Sequence, residues 1–314
     1  MAEAMRRAGV YKFAFATACC TVLLLVAGAL VTSNDAADSV PDWPLAYNRI
    51  IPPWVGGIRY EFTHRVFAGL VAVLTAILAV WIARSETRRS IRRLGWTALA
   101  LVLAQAGLGA LRVLKGHPAL TATAHAILAQ VFFIAVVSLA LFMSPWWQRE
   151  LPSLEDSGSP SLRSVSLWTT SIIFLQLILG AGFRHGAFGI IPHMGGAAAV
   201  LFFAIWTSRT VRKRFKTVRE LRKGAIYLNS AVGLQILLGG AAYGAIVAAR
   251  TAVQPTFVYV VLTVAHVLVG ALTLASSLLL TLSCFRMIGP SDAIETSSHA
   301  VDARTARAAG KASA

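Results

Sequence analysis

The chain has 314 residues, of which 57% are hydrophobic and only 13% are charged, and its formal net charge is +16. Soluble globular chains carry about 25% charged residues, so this chain lacks the polar surface needed to cover itself in water. Its hydrophobicity excludes a disordered chain, and three cysteines in 314 residues exclude a disulfide scaffold. A membrane protein with several spans remains, in which the positive charge marks orientation and is not a nucleic-acid footprint.

Eight nearly uncharged apolar runs are long enough to cross about 30 Å of hydrocarbon, so the sequence predicts an all-α integral membrane protein. We interpret the first run as a span and not as a cleaved signal peptide, because it is long and no small-residue cleavage pattern follows it. The predicted spans are about 12–33, 62–84, 93–114, 120–143, 164–185, 190–208, 224–249 and 256–285.

The basic residues fix the predicted orientation. With the N-terminus in the cytoplasm, 22 of the 29 Lys and Arg residues lie on the cytoplasmic side, as the positive-inside rule requires. Both termini are therefore expected in the cytoplasm. The first outer loop, about 34–60, is rich in Pro, Trp and Gly, which indicates either a rigid cap on the membrane surface or an interfacial Trp anchor beside a turn.

A short string recurs at the ends of the odd-numbered spans, with Gln four residues before Gly. It occurs at Gln105 to Gly109, Gln176 to Gly180 and Gln235 to Gly239, whereas the first span has only Gly28 and no Gln. Close helix packing alone can account for the glycines, but not for a polar Gln at a fixed offset.

Each even-numbered span carries one histidine near its outer end. They are His64, His125, His193 and His266. His64 and His193 are 129 residues apart, and Gln105 and Gln235 are 130 apart. The chain is therefore predicted to form two pseudo-symmetric four-helix bundles in the same orientation. The four histidines then lie at similar depth, with His266 a turn or two deeper.

Ionisable side chains inside a bilayer are costly and usually functional. One such histidine would be a polar packing residue, but four at equivalent positions favour metal ligation. Two imidazoles on facing helices are the axial ligands of haem iron in many bundles, which gives two iron sites, His64 with His125 and His193 with His266. Zinc is disfavoured because the second pair has no Cys or carboxylate beside it. Four side chains on the outer side are either contacts for haem propionates or a solvated rim: Arg112, Lys115, Arg184 and His185.

Glu61 precedes His64 by three residues, so both lie on one helix face with Glu61 nearer the outer surface. Its carboxylate is a hydrogen-bond acceptor for a metal-bound imidazole, a general acid or base acting on a bound molecule, or the ion-pair partner of Arg65 or Arg59. The second half, at Ile190 to Met194, has no carboxylate at the corresponding place. We therefore assign chemistry to the first half and electron storage to the second.

Several motifs together carry a family resemblance. They are Gly28 to Ser33, Pro41 to Leu45, Pro52 to Gly57, Glu61 to Arg65, and the three later histidines. Up to about residue 285 the chain resembles the haem A synthase family of bacteria and mitochondria. The resemblance implies an oxidoreductase that converts the C8 methyl group of haem O into the formyl group of haem A by successive hydroxylations.

The resemblance also implies roles for the site residues. A haem b cofactor would be held by His193 and His266. The substrate haem O would be flanked by His64, His125 and Arg65, with Glu61 as the catalytic residue near its methyl group. The implied organisation is 1–145 as the substrate half, 146–163 as a cytoplasmic linker, 164–288 as the haem b half and 289–314 as a disordered tail.

The expected location is the bacterial cytoplasmic membrane, and the expected partners are haem O, membrane lipid, haem O synthase, terminal oxidase assembly factors and a second copy of the chain. Many family members carry a cysteine pair in the first outer loop, but residues 34–57 here contain no cysteine, so an outer-face disulfide relay is not expected. Two other functions use similar features: a di-haem b electron-transfer protein, and a transporter of haem or another small molecule.

Overall fold

A computed structural model of the protein describes residues 2–289 except residue 38 and residues 116–118. Regular structure in these residues is entirely helical, and the bridges at Ala46 with Arg49 and Leu154 with Ile288 are isolated. The helices are α1 (Ala2–Ser33), α2 (Ile58–Ser85), α3 (Arg89–Leu114), α4 (Ala119–Met143), α5 (Pro145–Gln148), α6 (Leu162–Arg184), α7 (Ile190–Arg214), α8 (Arg219–Ala248) and α9 (Phe257–Met287). Beyond Gly289, the expected disordered tail lies outside the described residues.

All helices except the four-residue α5 are long and apolar enough to cross a membrane. The prediction of eight spans is therefore confirmed, and each predicted span falls on one helix. The helices differ from the predicted runs mainly at their basic ends, because α7 continues to Arg214 and α8 begins at Arg219. Long basic side chains can extend from a helix into the polar layer, so the helix outlasts the apolar run.

The eight long helices form two closed rings of contacts. In the first ring, α1, α2, α3 and α4 each pack against the next, and α4 returns to α1. In the second, α6, α7, α8 and α9 do the same, and α9 returns to α6. The rings meet where α1 and α4 contact α9, and where α4 contacts α6.

Each ring has its own apolar core. Leu78, Val136 and Leu139 belong to the first core, and Leu228 and Leu274 belong to the second. Many large apolar side chains point away from both cores in the middle of the helices, as the exposed residues of α3, α7 and α8 illustrate. An apolar exterior of this extent is typical of a surface covered by lipid.

The segment between the rings is fixed to the ends of three helices. Leu154 exchanges backbone hydrogen bonds with the end of α9, donating to Met287 and accepting from Gly289. The buried Asp156 carboxylate accepts from the backbone N–H of Leu162, at the start of α6, and pairs with Arg214 at the end of α7. The linker is therefore a packed part of the second ring.

Candidate functional site

The four histidines lie toward one end of the helix rings, where α1 joins α2, α3 joins α4, α6 joins α7 and α8 joins α9. We call this end the distal end. In each of these hairpins the imidazole of the second helix lies against a glycine of the first. The pairs are His64 with Gly28, His125 with Gly109, His193 with Gly180 and His266 with Gly239. Gly28 therefore completes the repeat, although the Gln of the other three hairpins is absent from α1.

The repeated glutamines hold the histidine helices. The amide Nε2 of Gln105 donates to the backbone oxygen of His125 at 2.9 Å, and that of Gln176 donates to the backbone oxygen of His193 at 2.8 Å. The Nε2 atom of Gln235 instead lies 3.4 Å from Nε2 of His266. Since each Gln stands one turn before the glycine, its fixed offset places its amide beside the next histidine.

His193 and His266 face each other across the second ring. Their ring centroids are 6.2 Å apart and their planes are nearly perpendicular, at 87°. Two imidazoles that bind one metal ion at about 2 Å each have centroids about 6 Å apart. His266 lies nine residues after the start of α9, whereas His193 lies three residues after the start of α7. The expectation that His266 lies deeper stays a prediction.

The imidazoles have the properties that haem ligands require. At His64, His193 and His266 the edge formed by Cε1 and Nδ1 faces the glycine helix, which leaves Nε2 as the nitrogen that can bind iron. Among the described residues, no three His, Cys, Asp or Glu side chains cluster to hold a metal ion. Because the porphyrin supplies the equatorial ligands, haem iron needs only the paired imidazoles. The residues therefore fit haem.

His64 and His125 form the corresponding pair in the first ring. They lie within electrostatic range of each other, and Arg112 of α3 lies within range of both. A histidine pair with a cation beside it suits a haem whose propionates are anionic.

Glu61 and Arg65 fasten the loop between α1 and α2 to the start of α2. Glu61 is buried, and its Oε1 atom lies 2.6 Å from Nη2 of Arg65. Its Oε2 atom accepts a 3.0 Å hydrogen bond from the backbone N–H of Val40. Arg65 also donates to the backbone oxygens of Val40, Asp42 and Leu45. Of the roles expected for Glu61, the ion pair with Arg65 is present in the structure, whereas Arg59 contacts Tyr60.

The same loop is ordered by its own hydrogen bonds. The Asp42 carboxylate accepts from the backbone N–H groups of Asn48 and Tyr47, both at 2.7 Å. These bonds, that to Asn48 most strongly, hold the pKa of Asp42 below its usual range. The loop also exposes apolar side chains, with Ile50 83% and Trp54 62% exposed. It is therefore a structured cap that carries an apolar surface.

Arg184 joins the two rings, and the expectation that it contacts a propionate stays a prediction. Its Nη2 atom donates to the backbone oxygen of Ala29 at 3.2 Å and to Oγ of Ser33 at 2.6 Å. Ser33 in turn shares a 2.8 Å hydrogen bond with Thr263 of α9. The sequence pattern did not reveal this contact, since it depends on how the rings dock.

A cavity of about 260 Å³ lies beside this contact at the distal end. It is lined by Thr32 and Asp35 from the end of α1, by Arg112, by the start of α4 and by His185. Burial, with smaller contributions from Arg112 and Arg184, lowers the pKa of His185 to about 4. Arg112 therefore lines this cavity, and its contact with a propionate stays a prediction.

Comparison with known proteins identifies a family and several relatives. Residues 59–191 match the family of cytochrome oxidase assembly proteins. A heme A synthase of Symbiobacterium thermophilum is 31% identical over 257 residues, which cover 70% of this chain and 81% of that protein. A heme A synthase of Lysinibacillus sphaericus is 26% identical over 259 residues, covering 72% of this chain and 83% of the relative.

A third relative is of another kind. A protoheme IX farnesyltransferase of Chloroflexus aurantiacus is 25% identical over 217 residues, which cover 64% of this chain but 36% of that protein. The motifs around the paired histidines and the extent of the match to the Symbiobacterium protein agree: the chain belongs to the haem A synthase family.

Proposed function

We propose that the protein is a haem A synthase, an oxidoreductase that converts the C8 methyl group of haem O into the formyl group of haem A. The observation that carries the proposal is the pair of imidazoles with centroids 6.2 Å apart, repeated as a second histidine pair, in a multi-pass membrane chain of this family. A transporter has no need of two histidine pairs on facing helices.

The two rings have different roles in this proposal. Residues 1–145 and 164–288 are two pseudo-symmetric halves joined by the linker 146–163, and each half uses its own histidine pair. His193 and His266 hold haem b, and His64 and His125 flank haem O. Haem b supplies an iron that takes up and passes on single electrons when bound. The assignment rests on the carboxylate that only the first pair has beside it.

Glu61 and the loop it anchors act on the substrate side. Glu61 is the candidate acid or base near the methyl group, because it is buried and one turn from His64. Arg65 balances the charge of the carboxylate and aims it through the 2.6 Å contact. By holding residues 40–45 against α2, the pair also keeps water from this end of the first ring. Arg112 is assigned to a propionate, and Arg184, whose Nη2 atom joins the two rings, stays a candidate for a second propionate contact.

The charge distribution supports an orientation. With both termini in the cytoplasm, 22 of the 29 Lys and Arg residues lie on the cytoplasmic side. The distal end then faces outward, and the chain is a multi-pass protein of the bacterial cytoplasmic membrane with both haem sites in its outer half.

The comparisons support two partners. The farnesyltransferase relative is long enough to contain further sequence beside its match to this chain. An enzyme that farnesylates protohaem makes the haem O that this protein consumes, so we propose haem O synthase as a partner. Because the matched family is described as a cytochrome oxidase assembly protein, we also propose that other assembly factors of a terminal oxidase are partners.

The direct test is to express the chain in bacterial membranes that contain haem O but lack haem A synthase. Pigments are extracted and separated by chromatography, and we expect haem A to appear with the wild-type chain and to be absent with the empty vector. Two stably bound haems b per chain without haem A would favour a di-haem electron-transfer protein. Movement of haem O across vesicle membranes without oxidation would favour a transporter.

A further inference from the structure

The space between histidine and glycine differs among the four hairpins. A Cβ atom added at Gly180 would lie 2.8 Å from Cε1 of His193, and one added at Gly239 would lie 2.9 Å from Cε1 of His266. In the first ring the corresponding distances are 3.1 Å for Gly28 and 3.5 Å for Gly109. Since carbon atoms in contact are about 3.5–4.0 Å apart, the second ring has no room for a methyl group, whereas Gly109 has nearly enough.

The imidazoles are oriented by these glycines. At Gly180, Nδ1 of His193 would lie 3.2 Å from the added Cβ and Nε2 3.6 Å from it, and at Gly239 the corresponding distances for His266 are 3.5 and 3.8 Å. The edge formed by Cε1 and Nδ1 therefore rests on the glycine helix, and Nε2 is the nitrogen farther from it. A methyl group at either glycine would push the imidazole toward the other histidine of the pair or rotate it.

A second pair of glycines supports the second ring only. A Cβ at Gly196, one turn after His193, would collide with Oε1 of Gln176, and one at Gly270, one turn after His266, would lie 3.1 Å from Nε2 of Gln235. These are the glutamines that hold the two histidines. At the same offsets the first ring has Phe67 and Ala68 after His64, and Leu128 and Ala129 after His125.

We propose that Gly180 and Gly239 are positioning residues that lock His193 and His266 for a permanently held haem, and that the wider contacts at Gly28 and Gly109 let His64 and His125 accept a haem that enters and leaves. This inference rests on the proposed function, since it assigns the resident cofactor and the exchanged substrate to the same two halves. It adds that the two sites differ in the space between each imidazole and the facing glycine, and not in their ligands alone.

The test compares four single alanine variants purified in detergent as full-length chains. G180A and G239A add a methyl group at the two closest glycine–histidine contacts, and G109A adds one at the widest contact. G233A is the matched control, because a Cβ atom there meets nothing within 4 Å. We measure haem b per protein, the low-spin electron paramagnetic resonance signal and the haem midpoint potential.

We expect G180A and G239A to retain less than half of the wild-type haem b or to show a shifted low-spin signal and potential. G109A and G233A should match the wild type in all three. If G180A and G239A both match G233A, the proposed positioning role is wrong. H193A and H266A separate this outcome from failure of the ligand assignment: if those variants also keep haem b, the assignment itself fails.

A second comparison applies if G180A and G239A are not recovered in folded form, as judged by size-exclusion chromatography and circular dichroism. G28A and G109A are titrated with ferric haem b as the probe for the first ring. The 3.1 Å contact at Gly28 predicts at least a threefold loss of affinity, whereas G109A should bind like the wild type. Equal haem affinities of G28A and G109A would show that the difference between the two glycine contacts does not affect haem binding, and would overturn the proposal.

Discussion

At the scale of single residues, Glu61 has structural contacts that bear on the acid–base role proposed for it. Its two oxygens are used by Arg65 and by the backbone N–H of Val40. Protonation removes the negative charge of the carboxylate and weakens at least one of these two contacts. Proton transfer at Glu61 is therefore coupled to the position of the loop between α1 and α2. A glutamine of the same size keeps an acceptor for Val40 but removes the charge and the basic oxygen.

Glu61→Gln is therefore expected to lower haem A formation at least 100-fold, the lower bound of a typical contribution of general acid or base catalysis at about 10²–10⁴, while haem b content stays unchanged. Haem A is measured by pigment extraction and chromatography, and haem b by the reduced-minus-oxidised spectrum. Asp42→Asn is the control, since it changes a loop carboxylate that does not touch Arg65 through its side chain. Normal haem A formation by Glu61→Gln would rule out the acid–base role.

His185 gives a pH dependence with a definite sign. Burial lowers its pKa from the ordinary value of 6.5 to about 4, so between these values the unfolded chain binds the proton and the folded chain does not. The folded state thus loses stability as pH falls from 6.5 toward 4. We expect the melting temperature in detergent to drop by about 2–5 °C more for wild type than for His185→Gln between pH 7 and pH 5. Parallel pH curves for the two proteins would contradict this.

At the scale of elements, the linker is held by one buried carboxylate. Asp156 accepts from the N–H groups of Leu162 and Gly158 and pairs with Arg214. Asp156→Ala leaves these donors without their acceptor, which we expect to destabilise the protein by about 2–3 kcal/mol. Thermal unfolding in detergent measures the loss. Glu155→Ala, at the exposed neighbouring position, should change stability by less than about 0.5 kcal/mol.

The sequence predicted elements better than the contacts between them. Eight spans follow from hydropathy because a bilayer demands long apolar helices, and the histidine positions follow from the repeat. Gly28 was matched to the repeat without its Gln, and its contact with His64 was not predicted. The loop contacts of Arg65 and the path of Arg184 to Ser33 were also not predictable. Both depend on packing between segments that are 20 or more residues apart.

At the scale of the whole molecule, the two rings contact each other along α1, α4, α6 and α9. The buried cluster of Phe133, Ala271 and Ala275 packs the rings together, and Arg184 and Ser33 connect them at the distal end. Most of the buried apolar side chains nevertheless belong to a separate core in each ring. A change in one histidine pair should therefore leave the fold of the other ring intact, and the functions of the two pairs can be separated.

This independence gives the sharpest test of the division of labour. His193→Ala and His266→Ala should each remove the low-spin haem b spectrum from the purified protein, because an imidazole pair with one member cannot supply both axial ligands. His64→Ala should keep that spectrum and reduce haem A formation at least tenfold, because it alters only the substrate side. Spectra of purified protein and pigment analysis of the same membranes provide both readouts. Haem b that persists in both second-ring variants, or disappears in His64→Ala, would reverse or abolish the assignment of the halves.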